Sequence, residues 1–514
     1  MIDLNKPMGK VRHHLILMVF GVAVSGGAAV KAAVPSQPEG SWKRVACPFD
    51  TKKALLPVIC GRLTVPENHE DPKGRFIDIA FMTVKARRNL DPESPVLFLN
   101  GGPGDVSLHF AETLVTDPLI HEVVVDRDWV FFDQRGNGRS TPMLFCADEE
   151  SNPFNIRKCR DDLIKQGIDL SQYNSARSSS DMEALRKALG VKQWNLWGIS
   201  YGSRLAMTMA RYYPSSVRSI VHDAPGLPGG QELLDDARGT DVALNKIFSK
   251  CAADAACSAR FPGLRGRFLA VLPRLWQQPL LVGDKRFNDS TVVRFVRDWF
   301  YPRGHSTLEH RLQSLLIFMD AAARGDGQLM VDTQQDMRNV EMRKREELNT
   351  VRAPVPLYGQ QSLGQNLSVY CNEKKPFESK DEYERAMATS AIVQALLTGY
   401  GDPSEWDCAL WPSGRADPIE NTRVYYDGPQ LAFTGELDAS SSGPAGYEIA
   451  KLYANARNVV FRNGIHGQFP TELPSSEDRD YWVCALRLGR EFFADPQRTL
   501  NTNCADTRTL RFVQ

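Results

Sequence analysis

The chain has 514 residues, of which 42% are hydrophobic and 24% are charged, so it is globular rather than intrinsically disordered. This length fits one large domain with an insertion, or two to three ordinary domains. Lys and Arg together number 62, and so do Asp and Glu. This balance gives no sign of a nucleic-acid ligand or of an anionic membrane surface, and we predict neither as a partner.

The first 32 residues have the pattern of a secretory signal peptide. Basic residues up to Arg12 precede a short apolar run from Leu15 to Val24, and Val30-Lys31-Ala32 fits a cleavage site. The alternative is a membrane anchor, but the run is short for a bilayer span and no further long apolar run follows. We therefore expect residues 1–32 to be removed, no stable membrane insertion of the mature chain, and export to the periplasm or secretion.

Ten cysteines follow this segment, and they fall into neighbouring pairs. In an exported protein an even number of cysteines indicates disulfides, although sequence alone does not fix their connectivity. Proximity suggests the pairs Cys47–Cys60, Cys146–Cys159, Cys251–Cys257, Cys371–Cys408 and Cys484–Cys504. Zinc is the competing interpretation, but no C-x-x-C pair or Cys/His ligand spacing is present, so we predict no metal site.

The region after the signal peptide alternates strands with helices. Strand patterns cover residues 76–84, 95–99, 129–132 and 219–222, and Gly-rich turns follow several of them. This alternation predicts a mainly parallel sheet wrapped by helices over residues 41–230.

Within this region, Gly198-Ile199-Ser200-Tyr201-Gly202 has the G-x-S-x-G form of a nucleophile elbow. A short buried strand precedes it and an amphipathic helix follows it, as an elbow requires. Only glycine two positions from the serine on either side avoids a backbone clash on so sharp a turn. We predict Ser200 as the nucleophile, and the competing interpretation is an ordinary Gly-rich turn.

After residue 230 the pattern changes to helices, with segments at 232–251, 264–276, 308–323 and 380–399. We predict an inserted helical cap over residues 231–403. Strand patterns return at 431–434 and 458–461, and a final helix near 478–493 belongs to a C-terminal part of the core over residues 404–514.

A serine nucleophile needs a base, usually a histidine held by a carboxylate, and in α/β-hydrolases the chain order is Ser, Asp or Glu, His. His466 lies in a Gly-flanked loop after the last predicted strand and is the predicted base. Two carboxylates follow the preceding strand, and we favour Asp438 as the acid over Glu436. The predicted oxyanion-hole donors are the backbone N–H groups of Tyr201, which follows the nucleophile, and of Gly102, in a turn after an early strand.

Five motifs occur in one order: Gly101-Gly102-Pro103-Gly104, Asp133-Gln134-Arg135-Gly136, Gly198-x-Ser200-Tyr201-Gly202, Gly435-x-x-Asp438 and His466-Gly467. Together they resemble the proline iminopeptidase and tripeptidyl aminopeptidase group of serine peptidases. The resemblance covers roughly residues 45–505 and implies an α/β-hydrolase fold with a helical cap, an aminopeptidase acting on peptide substrates, and no cofactor. It also implies a desolvated carboxylate that holds the substrate ammonium, for which Glu373 is the candidate; the alternative is a solvated charge beside a disulfide.

Three departures leave the preferred peptide open. Asn100 stands where a histidine often precedes the Gly-Gly-Pro turn, and Asp105 stands where a small residue is common. The segment 439–444 after Asp438 is longer before its proline than the usual pattern. The main alternative function is a carboxylesterase or other ester hydrolase of the same fold, since the same triad attacks esters more easily. The second alternative is a catalytically inactive hydrolase fold that serves as a binding protein, against which the complete set of Ser200, Asp438 and His466 argues. The number of residues released and the oligomeric state stay open.

Overall fold

The computed structural model of the protein describes residues 40–146, 155–301, 307–347, 360–400, 408–440, 444–469 and 479–512. The predicted signal peptide, residues 1–32, lies outside these ranges. The described part contains eleven strands: β1 Trp42–Val45, β2 Val58–Pro66, β3 Phe76–Val84, β4 Val96–Leu99, β5 Trp129–Phe132, β6 Trp194–Ile199, β7 Val217–Asp223, β8 Leu280–Val282, β9 Lys285–Phe287, β10 Gln430–Gly435 and β11 Ala456–Phe461.

Nine of these strands form one sheet in the order β1-β2-β3-β5-β4-β6-β7-β10-β11. The pairs from β1 to β5 are antiparallel, whereas every neighbouring pair from β5 to β11 is parallel. The central strands β4 and β5 are continuous apolar runs, because helices cover the sheet on both faces. The prediction of a mainly parallel sheet is confirmed.

The described residues also form sixteen helices: α1 Leu108–Leu114, α2 Ile120–Val123, α3 Ile156–Lys165, α4 Ser175–Ala188, α5 Tyr201–Tyr212, α6 Glu232–Ala253, α7 Ala255–Arg260, α8 Leu264–Gln277, α9 Asp289–Asp298, α10 Leu308–Arg324, α11 Gly327–Glu347, α12 Leu363–Val369, α13 Lys380–Met387, α14 Ala391–Tyr400, α15 Pro444–Leu452 and α16 Arg479–Ala494. Consecutive strand residues point to opposite faces of a sheet, so Leu97 and Phe98 join different hydrophobic clusters. The Phe98 cluster includes side chains of α1, α2 and α16, and the Leu97 cluster includes those of α4 and α5.

Between β7 and β10 the described residues are mostly helical, apart from the hairpin of β8 and β9. Side chains of α6 to α11, α13 and α14 share a hydrophobic cluster of their own, and residues 232–301, 307–347 and 380–400 are therefore named the cap. This cluster also includes Leu437, Ala439 and Ile465. The loops that carry the predicted acid and base thus pack against the cap as well as against the sheet.

Residues 363–374 belong to the predicted insertion, but they do not pack with the cap. The helix α12 and the π-helical turn Tyr370–Lys374 share a hydrophobic cluster with α3 and Leu144 of the core. The predicted helix over 380–399 is also divided into α13 and α14, because the hydroxyls of Thr389 and Ser390 bond to backbone groups at the break. The boundaries of the predicted insertion, 231–403, stay a prediction.

The ten cysteines form the five predicted disulfides, and the described residues contain no free cysteine: the pairs are Cys47–Cys60, Cys146–Cys159, Cys251–Cys257, Cys371–Cys408 and Cys484–Cys504. Proximity in the sequence was sufficient to find them. Within the described ranges, no helix combines the length and the apolar character needed to cross a lipid bilayer.

Candidate active site

Ser200 lies on the tight turn between β6 and α5. Its backbone has φ +54° and ψ −120°, a strained conformation for a residue with a side chain. A Cβ at Gly198 would lie 2.4 Å from the carbonyl oxygen of Gly202, and a Cβ at Gly202 would lie 2.1 Å from that of Leu99, so both positions require glycine. The Ser200 N–H donates to the carbonyl of Asp223 at 2.9 Å, which fixes the turn against the end of β7.

The turn over residues 101–104, after β4, lies directly beside Ser200. A Cβ at Gly101 would lie only 3.2 Å from the Cβ of Ser200. Gly102 has φ +98°, and a Cβ there would come within 2.8 Å of the Gly104 backbone nitrogen. The turn therefore brings bare backbone close to the nucleophile, as an oxyanion hole requires. The donor roles of Gly102 and Tyr201 stay predictions.

Asn100, which departs from the family pattern, braces this turn. Its side-chain carbonyl accepts the Gly101 N–H at 2.9 Å, and its amide donates to the Val106 carbonyl at 2.9 Å. From α12, the Asn366 amide donates to the Pro103 carbonyl at 2.9 Å. The departure at Asn100 thus preserves a fixed turn beside Ser200.

His466 and Asp438 form a buried pair at the carboxyl ends of the strands. His466 Nδ1 and Asp438 Oδ1 are 3.0 Å apart, and the two side chains are 8% and 1% exposed. Burial acts to lower the pKa of His466, but the charge and hydrogen bond of Asp438 outweigh it, so this pKa is raised above its ordinary value. A Cβ at Gly467 would lie 4.0 Å from Ile199 Cγ2, so the histidine loop packs against the residue that precedes Ser200.

Of the two carboxylates predicted after β10, the structure brings Asp438 and not Glu436 to the histidine. The Glu436 side chain accepts the Asn463 N–H at 2.9 Å and pairs with Lys250 of the cap at 3.0 Å. Glu436 thus ties the histidine loop to the cap. No group of three or more His, Cys, Asp or Glu side chains in the described part of the chain could hold a metal ion.

Asp223, at the end of β7, links the nucleophile turn to the histidine loop. Its carbonyl accepts the Ser200 N–H, and its carboxylate accepts the N–H groups of Gln468 and Phe469, both at 2.6 Å. Burial raises the pKa of this carboxyl to about 7, although the two N–H donors act in the opposite direction. The sequence analysis did not select Asp223 as a site residue; the available signal was its place directly after the strand pattern over residues 219–222.

Glu373, the predicted ammonium partner, is buried and already paired. Its carboxylate accepts a hydrogen bond from Arg204 Nε at 3.1 Å, and the Glu373 side chain is 1% exposed. It also accepts the backbone N–H of Ser175 and the Ser175 hydroxyl, the latter at 2.8 Å; that hydroxyl lies 2.8 Å from the Tyr201 hydroxyl. Glu373 is therefore connected to the residue after the nucleophile through Ser175, and its role in ammonium binding stays a prediction.

Comparison with known proteins shows which sequences and folds the chain is similar to. A sequence profile described as the alpha/beta hydrolase fold matches residues 94–258. The chain is 25% identical over 268 residues to the serine protease Hip1 of Mycobacterium tuberculosis, covering 47% of this chain and 51% of that protein. It is 27% identical over 220 residues to the tripeptidyl aminopeptidase of Streptomyces coelicolor, covering 38% of this chain and 40% of that protein.

The matched segments thus span about half of the length of these curated relatives, or less. Among solved structures, the proline iminopeptidase of Mycobacterium smegmatis aligns with a TM-score of 0.37 and 14% sequence identity, covering 84% of this chain and 100% of that one. The resemblance predicted from the motifs is confirmed by the sequence relatives: the chain has an α/β-hydrolase fold and is similar in sequence to a serine protease and to a tripeptidyl aminopeptidase.

Proposed function

We propose that the protein is a serine aminopeptidase that hydrolyses peptides from their N-terminus. The observation that carries the proposal is the His466–Asp438 pair, with 3.0 Å between Nδ1 and Oδ1, in a loop that packs beside the Ser200 turn. A serine hydroxyl is a weak nucleophile until a base removes its proton, and a base works only in the right tautomer. This arrangement supplies a serine, a base and an orienting acid.

In the proposed reaction, the Ser200 hydroxyl attacks the carbonyl carbon of the peptide bond while His466 takes its proton. The carboxylate of Asp438 stabilises the imidazolium that forms. His466 then donates the proton to the leaving amine, and the acyl group stays on Ser200. A water molecule, activated by the same imidazole, hydrolyses this ester and restores the enzyme.

The negative charge on the tetrahedral intermediate is stabilised by the backbone N–H groups of Tyr201 and Gly102. Tyr201 is the first residue of α5, where the N–H groups have no partner within the helix and the helix dipole favours an anion. One such donor contributes on the order of 10²–10³ in kcat. The glycines around the turn support this role because they let the backbone approach the reacting carbonyl.

The choice of peptides rests on the names of the relatives, a serine protease and a tripeptidyl aminopeptidase. A carboxylesterase is the second candidate. It is favoured by the pairing of Glu373 with Arg204, because this pairing engages the carboxylate that was expected to bind the substrate ammonium.

We also propose that the protein acts outside the cytoplasm, in the periplasm or the medium. Five disulfides form and persist in an oxidising compartment, and they support this location together with the signal-peptide pattern of residues 1–32.

The test is hydrolysis of a substrate panel by the mature protein and by Ser200→Ala. The panel contains Pro-, Ala- and Ala-Ala-Pro- aminoacyl amides, N-blocked versions of each, and p-nitrophenyl acetate and butyrate. An aminopeptidase cleaves the free-amine amides and not the blocked ones, and the Ser200→Ala variant loses both cleavage and labelling by a fluorophosphonate probe. The exposed Ser258, changed to alanine, is the matched control and retains both.

Cleavage of the blocked amides as fast as the free ones would discard the aminopeptidase proposal and leave a general serine hydrolase. Activity on the esters alone would discard it in favour of the ester hydrolase. Wild-type activity in Ser200→Ala would discard the proposed nucleophile.

A further inference from the structure

The cap contacts His466 at two points. The His466 backbone N–H donates to the carbonyl of Phe300 at 3.0 Å. The next residue, Tyr301, places its ring against the imidazole, with the ring centroids 4.8 Å apart and the planes inclined at 52°. The imidazole is therefore held by Asp438 through Nδ1 and by an aromatic side chain of the cap through its ring.

Tyr301 is itself fixed by a charge pair of the cap. Arg297, on α9, donates to the Asp236 carboxylate of α6 through Nε at 2.9 Å and through Nη2 at 3.1 Å. The Tyr301 hydroxyl accepts from Arg297 Nη2 at 2.7 Å and donates to Asp236 at 3.1 Å. The guanidinium also lies 4.4 Å from the centroid of the Tyr301 ring. Two cap helices thus determine the orientation of this ring.

The charges around the imidazole come from three parts of the molecule. Asp438, after β10, and Asp223, after β7, raise the pKa of His466, whereas burial, the largest influence, and Arg297 of the cap lower it. Burial of the imidazole depends partly on the cap, because the Tyr301 ring covers part of it.

We propose that Tyr301 is a positioning residue. Its ring holds the imidazole of His466 in the orientation that catalysis needs, and the cap is thereby part of the catalytic apparatus. The inference rests on the proposed function. The bond to Asp438 fixes one nitrogen but leaves the ring free to tilt about that bond, and the contact with Tyr301 removes this freedom. Misplacement of a reacting group by about 1 Å costs on the order of 10²-fold in rate.

The first experiment compares kcat and KM for Tyr301→Ala, Tyr301→Phe and Tyr425→Ala. Tyr301→Ala is expected to lower kcat by about 10–100-fold with KM changed by less than about threefold, because the imidazole loses its support and the substrate site does not. Tyr301→Phe loses the hydroxyl bonds but keeps the ring between the imidazole and the Arg297 guanidinium, and is expected to stay within about threefold of the wild type. Tyr425, which is 89% exposed, is the matched tyrosine whose replacement leaves kcat unchanged.

Wild-type kcat in Tyr301→Ala would overturn the proposal, and so would an equal loss in Tyr301→Phe, since the hydroxyl and not the ring would then be responsible. Thermal unfolding of each variant is measured alongside, and the kinetics are compared well below the unfolding midpoint.

The second experiment titrates His466 directly by NMR of the imidazole in the Ser200→Ala background, with Ser200→Ala/His466→Gln to assign the signal. Adding Tyr301→Ala exposes the imidazole, so the pKa of His466 is expected to rise by about 0.5 or more, whereas adding Tyr301→Phe leaves it unchanged. A residue that only supports the fold would not move this pKa, and an unchanged pKa in Tyr301→Ala would overturn the proposed positioning role. Because this titration needs no turnover, it stands apart from the substrate panel, whose failure would refute the proposed function alone.

Discussion

Replacing Glu373 by alanine separates a structural role for this residue from a role in substrate binding. Its carboxylate is paired with Arg204, and the Arg204 side chain is only 4% exposed, so Glu373→Ala leaves a buried guanidinium without its carboxylate. Removing one member of a buried ion pair costs about 3–5 kcal/mol in the free energy of unfolding. This is a large fraction of the stability of an ordinary domain.

The corresponding change in the unfolding midpoint follows from the size of the chain. Unfolding entropy is about 2.1 cal/mol/K per residue, or roughly 1 kcal/mol/K for 514 residues. Glu373→Ala is therefore expected to lower the midpoint by about 3–5 °C. Glu384→Ala is the matched control: this side chain is 58% exposed and lies 3.7 Å from Lys380, so the midpoint should not change measurably.

The assay combines thermal unfolding at one scan rate with kcat/KM on free-amine and N-blocked substrates. If Glu373 supports Tyr201 through Ser175, the unfolding midpoint falls, and kcat/KM falls by the same factor on free-amine and N-blocked substrates. An unchanged midpoint, together with a loss confined to free-amine substrates, would refute this reasoning and show that Glu373 binds the substrate ammonium.

Two further predictions concern the backbone and the pH dependence of the site. Gly102→Ala is expected to lower kcat on the order of 10²-fold, because its Cβ would come within 2.8 Å of the Gly104 nitrogen and displace the turn. Gly190→Ala has a similar positive φ of +67° but no atom within 4 Å of its Cβ, so it should lower the unfolding midpoint without affecting kcat; equal kcat in the two variants would contradict the oxyanion role. The buried Asp223 has its pKa raised to about 7 from 3.8, so the folded state keeps a proton that the unfolded state loses, and stability falls as pH rises from about 4 to 7. Asp223→Asn removes this dependence, so its stability relative to the wild type should rise by roughly 4 kcal/mol across that window; a difference that stays constant with pH in thermal unfolding would count against the raised pKa.

Much of the site could be predicted from local sequence because local backbone geometry dictates it. The elbow requires glycine on both sides of Ser200, and the structure shows why: a Cβ at Gly198 or Gly202 would overlap backbone atoms. His466 could be singled out by its Gly-flanked loop after a strand, and it lies beside Asp438 as the chain order predicts.

Contacts between distant segments could not be predicted in this way. The carboxylate of Asp223 bonds to Gln468 and Phe469, and the Tyr301 ring lies against His466, yet neither contact leaves a periodic or spaced pattern in the sequence. Glu373 was selected by the charge that an ammonium needs, but its partners in the fold were not visible. The packing of α12 against the core instead of the cap had no local signal either, because an apolar helix face does not reveal which surface covers it.

The pairing of the neighbouring strands β7 and β10 determines when, during synthesis and folding, the catalytic residues come together. The two strands are paired in the sheet, although β7 ends at Asp223 and β10 begins only at Gln430. The whole cap region is therefore synthesised after β7 and before β10. Pairing across so long a stretch of chain is slow, since the intervening segment must be closed before the contact forms. A growing chain that already carries Ser200 still lacks its acid and its base, and both arrive only with the last strands of the sheet. Under the proposed function, hydrolysis therefore begins only when synthesis and folding are nearly finished, and the order of the strands along the chain itself delays the onset of activity.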